Sequence, residues 1–259
     1  MPSWNADQYL KFAAERTRPA RDLLARVLVD RPARVIDLGC GPGNSTEILS
    51  ERWPESGING LDSSSAMIVA ARRDYPQGDW AVGDISVWAA DATHQFDIVF
   101  ANAALHWVPD HEQLFPRIFA RVAPGGALAV QVPYNLDAPA QTAMRDLAAT
   151  PAWACLFPPD GVRGWHVHQP GFYYDCLAPL AADIDIWETE YVQVMESADA
   201  IVEWYKGTGL RPFLDALPSD ADRESFLADY RERIRDSYPP QADGRVLFPF
   251  RRLFLVAYH

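Results

Sequence analysis

Arg34-Val-Ile-Asp-Leu-Gly-Cys-Gly-Pro-Gly43 is the stretch on which the fold turns. Val35, Ile36 and Leu38 make a short apolar run, and glycines follow at every second position, Gly39, Gly41 and Gly43. Such a run, closed by turn residues, reads as a buried strand entering a tight turn. Glycine suits that turn because a sharply bent backbone approaching a ligand has no room for a Cβ. From Asn44 the positions Ile48, Leu49 and Trp53 have helical spacing, with Asn44 and Ser45 as candidate caps. The unit is therefore strand, glycine loop, helix.

A second strand, Gly57-Ile-Asn-Gly-Leu-Asp62, ends in an acid at the tip of the neighbouring parallel strand, where it can accept hydrogen bonds from both hydroxyls of a ribose. The implied ligand is a nucleoside. A dinucleotide fingerprint would need Gly or Ala at position 44, where this chain has Asn. Asp37, just ahead of the turn, would repel a pyrophosphate and suits an ammonium or a sulfonium.

Further motifs follow in order. Gly83-Asp84-Ile85 ends a third strand, Phe96-Asp-Ile-Val-Phe-Ala-Asn-Ala-Ala-Leu-His-Trp107 makes a fourth strand with its following loop, and Leu114 to Val132, containing Pro124-Gly-Gly126, makes helix, turn and fifth strand. Together with Asp37-Leu-Gly-Cys-Gly-Pro-Gly43 and Asp62, this series resembles the class I S-adenosylmethionine-dependent methyltransferases. The resemblance implies an α/β, Rossmann-like fold: a seven-stranded, mostly parallel sheet with helices on both faces and a helical cap insertion. It implies S-adenosyl-L-methionine as cofactor, with Asp37, Gly39, Cys40 and Gly41 in the loop, Asp62 and Ser63 at the ribose, Met67, Asp84 and Ile85 at the adenine, and Asn102, Ala103 and Trp107 after the fourth strand. Asp37, Asp62, Asp84 and Asn102 all map to the carboxyl ends of strands, where ligands of open parallel sheets sit. The plainer alternatives are a Rossmann-like sheet without a cofactor and, for Trp107, simple packing beneath the adenine.

A chain of 259 residues can bury roughly 70–75% of its unfolded surface, enough for a substantial core. No apolar run approaches the ~18 residues of a membrane span, and Met1-Pro-Ser-Trp-Asn has no export character, so the expected location is the cytoplasm. Cys40, Cys155 and Cys176 have no partners at metal-ligand spacing and are expected to be buried thiols. A net charge of −12 argues against a nucleic-acid partner. All the 23 cationic side chains except Lys11 and Lys206 are Arg, which fits either codon bias or carboxylate binding.

Asn5 to Leu28 has an amphipathic helical pattern interrupted at Pro19 and is expected to form a pair of helices. Residues 1–30 are then an N-terminal helical lid, with Tyr9, Phe12 and Arg16 either touching the cofactor or packing on the sheet edge. Residues 31–135 form the cofactor-binding core. Residues 136–259 complete the same domain, with strands at Ile184–Val194 and Leu253–Tyr258, the latter antiparallel. A helical insertion over about 195–245 lies between them.

Trp204-Tyr-Lys-Gly-Thr-Gly-Leu-Arg-Pro-Phe213, Phe248-Pro-Phe-Arg-Arg-Leu-Phe-Leu-Val-Ala257 and Glu15-Arg-Thr-Arg-Pro-Ala-Arg21 extend the resemblance to both ends, toward methyltransferases that esterify small acids. That implies methyl transfer to a carboxylate of a small unsaturated tricarboxylic acid, giving a monomethyl ester. Arg meets a carboxylate bidentately. Arg211, Arg251 and Arg252 lie inside apolar stretches, where a bare charge is costly unless paired, either with substrate or with the insertion's own acids. Arg163, His166, His106 and Tyr134 are further acceptor candidates. His166 and His168 lack a third ligand for a metal, and none is expected. An ionised carboxylate needs no general base, so no catalytic side chain is assigned. A carrier-bound malonyl acceptor and a non-catalytic cofactor-binding protein are the alternatives.

Overall fold

Asp37 and Asp62 lie at the carboxyl ends of neighbouring parallel strands, and Asp84 follows the end of the next strand by two residues. The computed structural model describes residues 13–259 except 92, 159–161 and 163, with side chains from Thr17 onward. Helix α1 (Ala13–Ala25) precedes β1 (Arg34–Leu38), α2 (Asn44–Arg52) and β2 (Gly57–Asp62). The chain continues through α3 (Ser65–Asp74), β3 (Asp79–Val82), α4 (Ile85–Ala90) and β4 (Phe96–Asn102). A 3-10 turn (Leu105–Trp107), α5 (His111–Phe119) and β5 (Val122–Pro133) follow. After them come α6 (Pro139–Ala148), α7 (Pro170–Leu177), β6 (Asp183–Met195), α8 (Ala198–Lys206), α9 (Arg211–Ala216), α10 (Asp220–Ser237) and β7 (Val246–Tyr258).

The seven strands lie in the order β3-β2-β1-β4-β5-β7-β6. β1 to β5 are parallel, whereas β7 runs antiparallel to β5. Sequence order reverses between β1 and β4, which opens a crevice at their carboxyl ends. Val35, Leu38, Ile98, Val99, Leu128 and Ala129 are fully buried. Strands covered on both faces read as continuous apolar runs, which is why β1, β4 and β5 were legible.

Three expectations need correction. Ala13–Ala25 is one helix with Pro19 inside it, so the proline does not divide it. Pro124-Gly-Gly126 is a bulge within β5: register jumps from Phe96 opposite Val122 to Ile98 opposite Ala127, and Gly125 takes φ +78°. β7 starts at Val246, seven residues earlier than expected. Its first half buries Val246, Phe248 and Phe250 while exposing alternate residues, so it lacks the continuous apolar run of its second half.

The chain divides into two compact units. One holds Tyr134–Gly164 and Glu190–Arg251; the other holds the preceding chain to Pro133 with Trp165–Thr189 and Arg252–His259. The first is largely helical and packs Tyr205, Phe226, Tyr230 and Phe248 in its core. Within it Tyr230 donates to the Ala140 carbonyl at 3.0 Å, and the Ala140 amide donates to Tyr238 Oη at 3.2 Å. Arg235 grips Asp199 through Nε at 3.1 Å and Nη2 at 2.8 Å. The second unit carries β1 to β5 and the glycine loop. Among the described residues no helix is long and apolar enough to cross a membrane.

Candidate active site

Asp37 is fully buried near the end of β1. Its Oδ2 accepts from Ser45 Oγ at 2.6 Å and Thr46 Oγ1 at 2.7 Å, while Oδ1 is buried with no hydrogen-bond partner. Burial pushes its pKa up to about 6; the two hydroxyls oppose the shift, and Asp62 adds to it. Ser45 thus serves Asp37 and does not cap α2. The cap position falls on Gly43, with φ +102° and no side chain to donate or accept. Gly39 takes φ +70°, and a Cβ there would stand 2.3 Å from Ala104 Cβ, so the loop and the turn after β4 are packed as closely as backbone allows.

Asp62 fixes the same loop. Its Oδ2 accepts from the Gly41 amide at 2.9 Å and Oδ1 from the Ser64 amide at 2.8 Å. A carboxylate has about four acceptor positions, so capacity for ribose hydroxyls remains. Burial raises its pKa as well, against these two amides. Cys40, between the acids, is buried, and its thiol is driven far up by burial and then by Asp37 and Asp62. It is a neutral packing group and no nucleophile.

Met67 and Ile85 are buried. Ser63 is exposed, and Ser64 is the cap of α3. Asp84 caps α4, its Oδ1 accepting from the Ser86 and Val87 amides at 2.8 and 3.2 Å. Asn102 closes β4 with its Oδ1 buried and without a partner, and Ala103 follows with φ +54°. Trp107 stands 4.9 Å from the His106 ring.

The acceptor candidates separate. Arg252 is 4% exposed, and its Nη1 donates to Gln131 Oε1 at 3.2 Å. His106 is equally buried, with Nδ1 lacking a partner, and its carbonyl accepts from the His166 amide at 2.8 Å. Burial, then the nearby charge of Arg252, then His111 and His166 hold the His106 pKa well below the ordinary imidazole value, so it is neutral. Arg251 is exposed, its Nε donating to the Tyr134 carbonyl at 2.9 Å with the guanidinium over the Tyr134 ring. Adjacent strand residues face opposite sides, so Arg251 and Arg252 cannot clamp one ligand from the same face. Arg211 lies 3.6 Å from Asp215, an acid of its own helix. Tyr9, Arg163 and the side chain of Arg16 lie outside the described residues. A pocket of about 500 Å³ lined by Asn135, Tyr238 and Arg251 belongs to the helical unit. Of the cysteines, only Cys40 is buried; Cys155 is exposed, which corrects the expectation of three buried thiols. Sequence reading missed Gln131. Its signal was a lone amide inside the apolar run Ala127 to Val132.

A mostly parallel seven-stranded sheet whose acid-flanked glycine loop opens at the strand-order reversal defines a class I methyltransferase. The sequence model of a methyltransferase domain matches residues 12–177. The YcgJ protein from Bacillus subtilis superposes with a TM-score of 0.60, at 14% identity, over 93% of this chain and 97% of that one. Trans-aconitate 2-methyltransferase of Azoarcus sp. (strain BH72) is 50% identical over 261 residues, covering 99% of each chain. The protein of the same name from Rhodopseudomonas palustris (strain BisB18) is 48% identical over 257 residues, again covering 99% of each. The chain belongs to the trans-aconitate 2-methyltransferase family.

Proposed function

We propose that the protein transfers the methyl group of S-adenosyl-L-methionine to a carboxylate oxygen of trans-aconitate, giving the monomethyl ester. The site residues fit a cationic nucleoside cofactor: a buried Asp37 with an orphaned oxygen and a half-buried Asp62, both with raised pKa values, flank a loop whose Gly39 has no room for a Cβ beside Ala104. In this reading Asp62 takes the ribose hydroxyls, Met67, Asp84 and Ile85 the adenine, and the backbone of 39–41 with Asp37, Asn102, Ala103 and Trp107 the methionine side. When bound, the cofactor supplies a methyl carbon made electrophilic by its sulfonium.

The acceptor side rests on one observation, the buried Arg252 guanidinium held by Gln131 and lying near a neutral His106. An Arg in such a place is suited to a carboxylate. A carboxylic acid with a pKa near ~4 is already ionised at neutral pH, so the attacking oxygen has no proton to lose. His106 therefore acts as a neutral polar wall. The chain contributes alignment of two reactants, worth up to ~7–11 kcal/mol, and exclusion of water from the nucleophile. Three free cysteines suit a reducing cytoplasm, and the charge of −12 is unsuited to a nucleic-acid polyanion.

Labelled-methyl transfer to a panel of di- and tricarboxylic acids tests the reading. Trans-aconitate should be methylated, and Arg252→Ala should lower kcat/KM for it by ~2–5 kcal/mol, the range for breaking a buried charge contact, while calorimetric cofactor affinity is retained. Transfer to no acid in the panel overturns the function, and wild-type kinetics in Arg252→Ala overturn the clamp.

A further inference from the structure

The edge strand β3 buries one side chain, Trp80. Its indole is 6% exposed and packs in one cluster with Cys40, Ile68, Ala71 and Tyr75. Three glycines from separate places in the chain leave the space it fills. A Cβ on Gly60, its partner on β2, would run into ring atoms Cε3 and Cζ3. A Cβ on Gly78, in the turn before β3, would stand 2.5 Å from Cε2 and Cζ2, and one on Gly43 would stand 3.0 Å from Cη2. A close-packed interior has no slack for such overlaps.

Gly43 therefore makes room for aromatic rings belonging to the fold: its Cβ would also stand 2.6 Å from Tyr75 Cδ2. Both rings are themselves held. Trp80 Nε1 donates to the Tyr75 carbonyl at 3.0 Å, and Tyr75 Oη donates at 3.0 Å to Oε2 of Glu47, in the first turn of α2. The glycine loop thus meets Trp80 at both Cys40 and Gly43, while Asp62 holds its middle through the Gly41 amide at 2.9 Å. A rigid indole with only two rotatable bonds fixes the height of such a loop better than a flexible aliphatic chain.

Resting on the assignment of residues 39–41 to the cofactor, we propose that Trp80 is a positioning residue for S-adenosyl-L-methionine: it props the glycine loop from the β3 side and so sets where the loop backbone stands. Being covered itself, it acts through the loop and not by touching the ligand.

Trp80→Leu removes the prop and leaves a cavity beside Cys40 and Gly43. In the ligand-free protein the Gly41 and Gly43 amides, bonded to Asp62 and to the Cys40 carbonyl, should then exchange hydrogen faster relative to the amides of β5, which report global opening. In calorimetry the Kd for S-adenosylmethionine should rise by about tenfold or more, the size of one hydrogen bond to a charged group. KM for trans-aconitate at saturating cofactor should keep its wild-type value. Phe119→Leu, a buried position just before the amino end of β5, controls for lost stability and should leave loop exchange and Kd unchanged. Trp80→Phe serves if the leucine variant does not fold. A wild-type Kd in the variant that folds overturns the inference, as does a raised Kd with unchanged loop exchange, because the loop would then not be the route. An equal rise in KM for the acid, or in the Kd of Phe119→Leu, would mean general loosening and overturns it too. Failure of the wild-type protein to bind S-adenosylmethionine would instead remove the cofactor reading on which the inference rests.

Discussion

Asp37 is a carboxylate placed where its charge is unfavourable until a cation arrives. Its pKa is about 6 in the fold against 3.8 for the free side chain, so the folded state binds the proton more tightly. The sign follows: below pH 3.8 the group has no effect, between about 4 and 6 the fold loses stability as pH rises, and above 6 the loss is complete at about 3 kcal/mol by linkage. Asp37→Asn should therefore stabilise the ligand-free protein at pH 8, an advantage that shrinks toward pH 4 in urea titrations. The same variant should bind S-adenosylmethionine more weakly at pH 8, with a shallower rise in affinity between pH 5 and 7. Unchanged stability together with unchanged affinity would show that Asp37 is only a scaffold for Ser45 and Thr46. That acid was legible in sequence because an acid before a glycine turn has few structural reasons to exist. Gln131 was not, because its partner Arg252 is 121 residues away.

At the scale of the element, the 3-10 turn Leu105–Trp107 is short, and a turn of that length is held by its surroundings more than by its own hydrogen bonds. His111, at the start of α5, meets the Leu105 carbonyl through Nε2 at 2.9 Å and Tyr173 Oη of α7 through Nδ1 at 3.0 Å. A carbonyl only accepts, so Nε2 carries the proton and Nδ1 accepts from the tyrosine. The Tyr173 oxygen in turn accepts from the His168 amide at 3.2 Å, and His166 donates to the His106 carbonyl. The segment after β4 is thereby tied to α5 and to the stretch leading into α7. Tyr173→Phe leaves the buried His111 nitrogen without its donor and should lower stability by about 1–3 kcal/mol, the penalty for an unsatisfied buried group. Urea melts measure it directly, and a loss within error would mean that packing alone fixes the turn. This network was invisible to motif reading: His111 and Tyr173 are ordinary amphipathic-helix residues until the fold brings them together. The first half of β7 was hidden for a related reason, since its alternating burial carries a weaker signal than a continuous apolar run.

Across the whole molecule a charge of −12 sets the field that a ligand crosses before it meets any single side chain. The two proposed ligands carry opposite charges there: the cofactor's sulfonium is cationic, and a fully ionised tricarboxylate is a trianion. An acidic surface steers the first and repels the second during encounter. The Debye length falls from about 30 Å at 0.01 M ionic strength to about 8 Å at 0.15 M, so salt removes the long-range field. It acts less on the buried Arg252, because buried pairs are screened less. Raising salt over that range should therefore increase kcat/KM for trans-aconitate while weakening cofactor affinity, measured with the other ligand saturating in each case. Neutral osmolytes at matched osmolarity should reproduce neither change. A kcat/KM for the acid that falls with salt would mean that exposed cations gather the acceptor and outweigh the net charge. Arg251, exposed beside Tyr134, would then be the first side chain to replace.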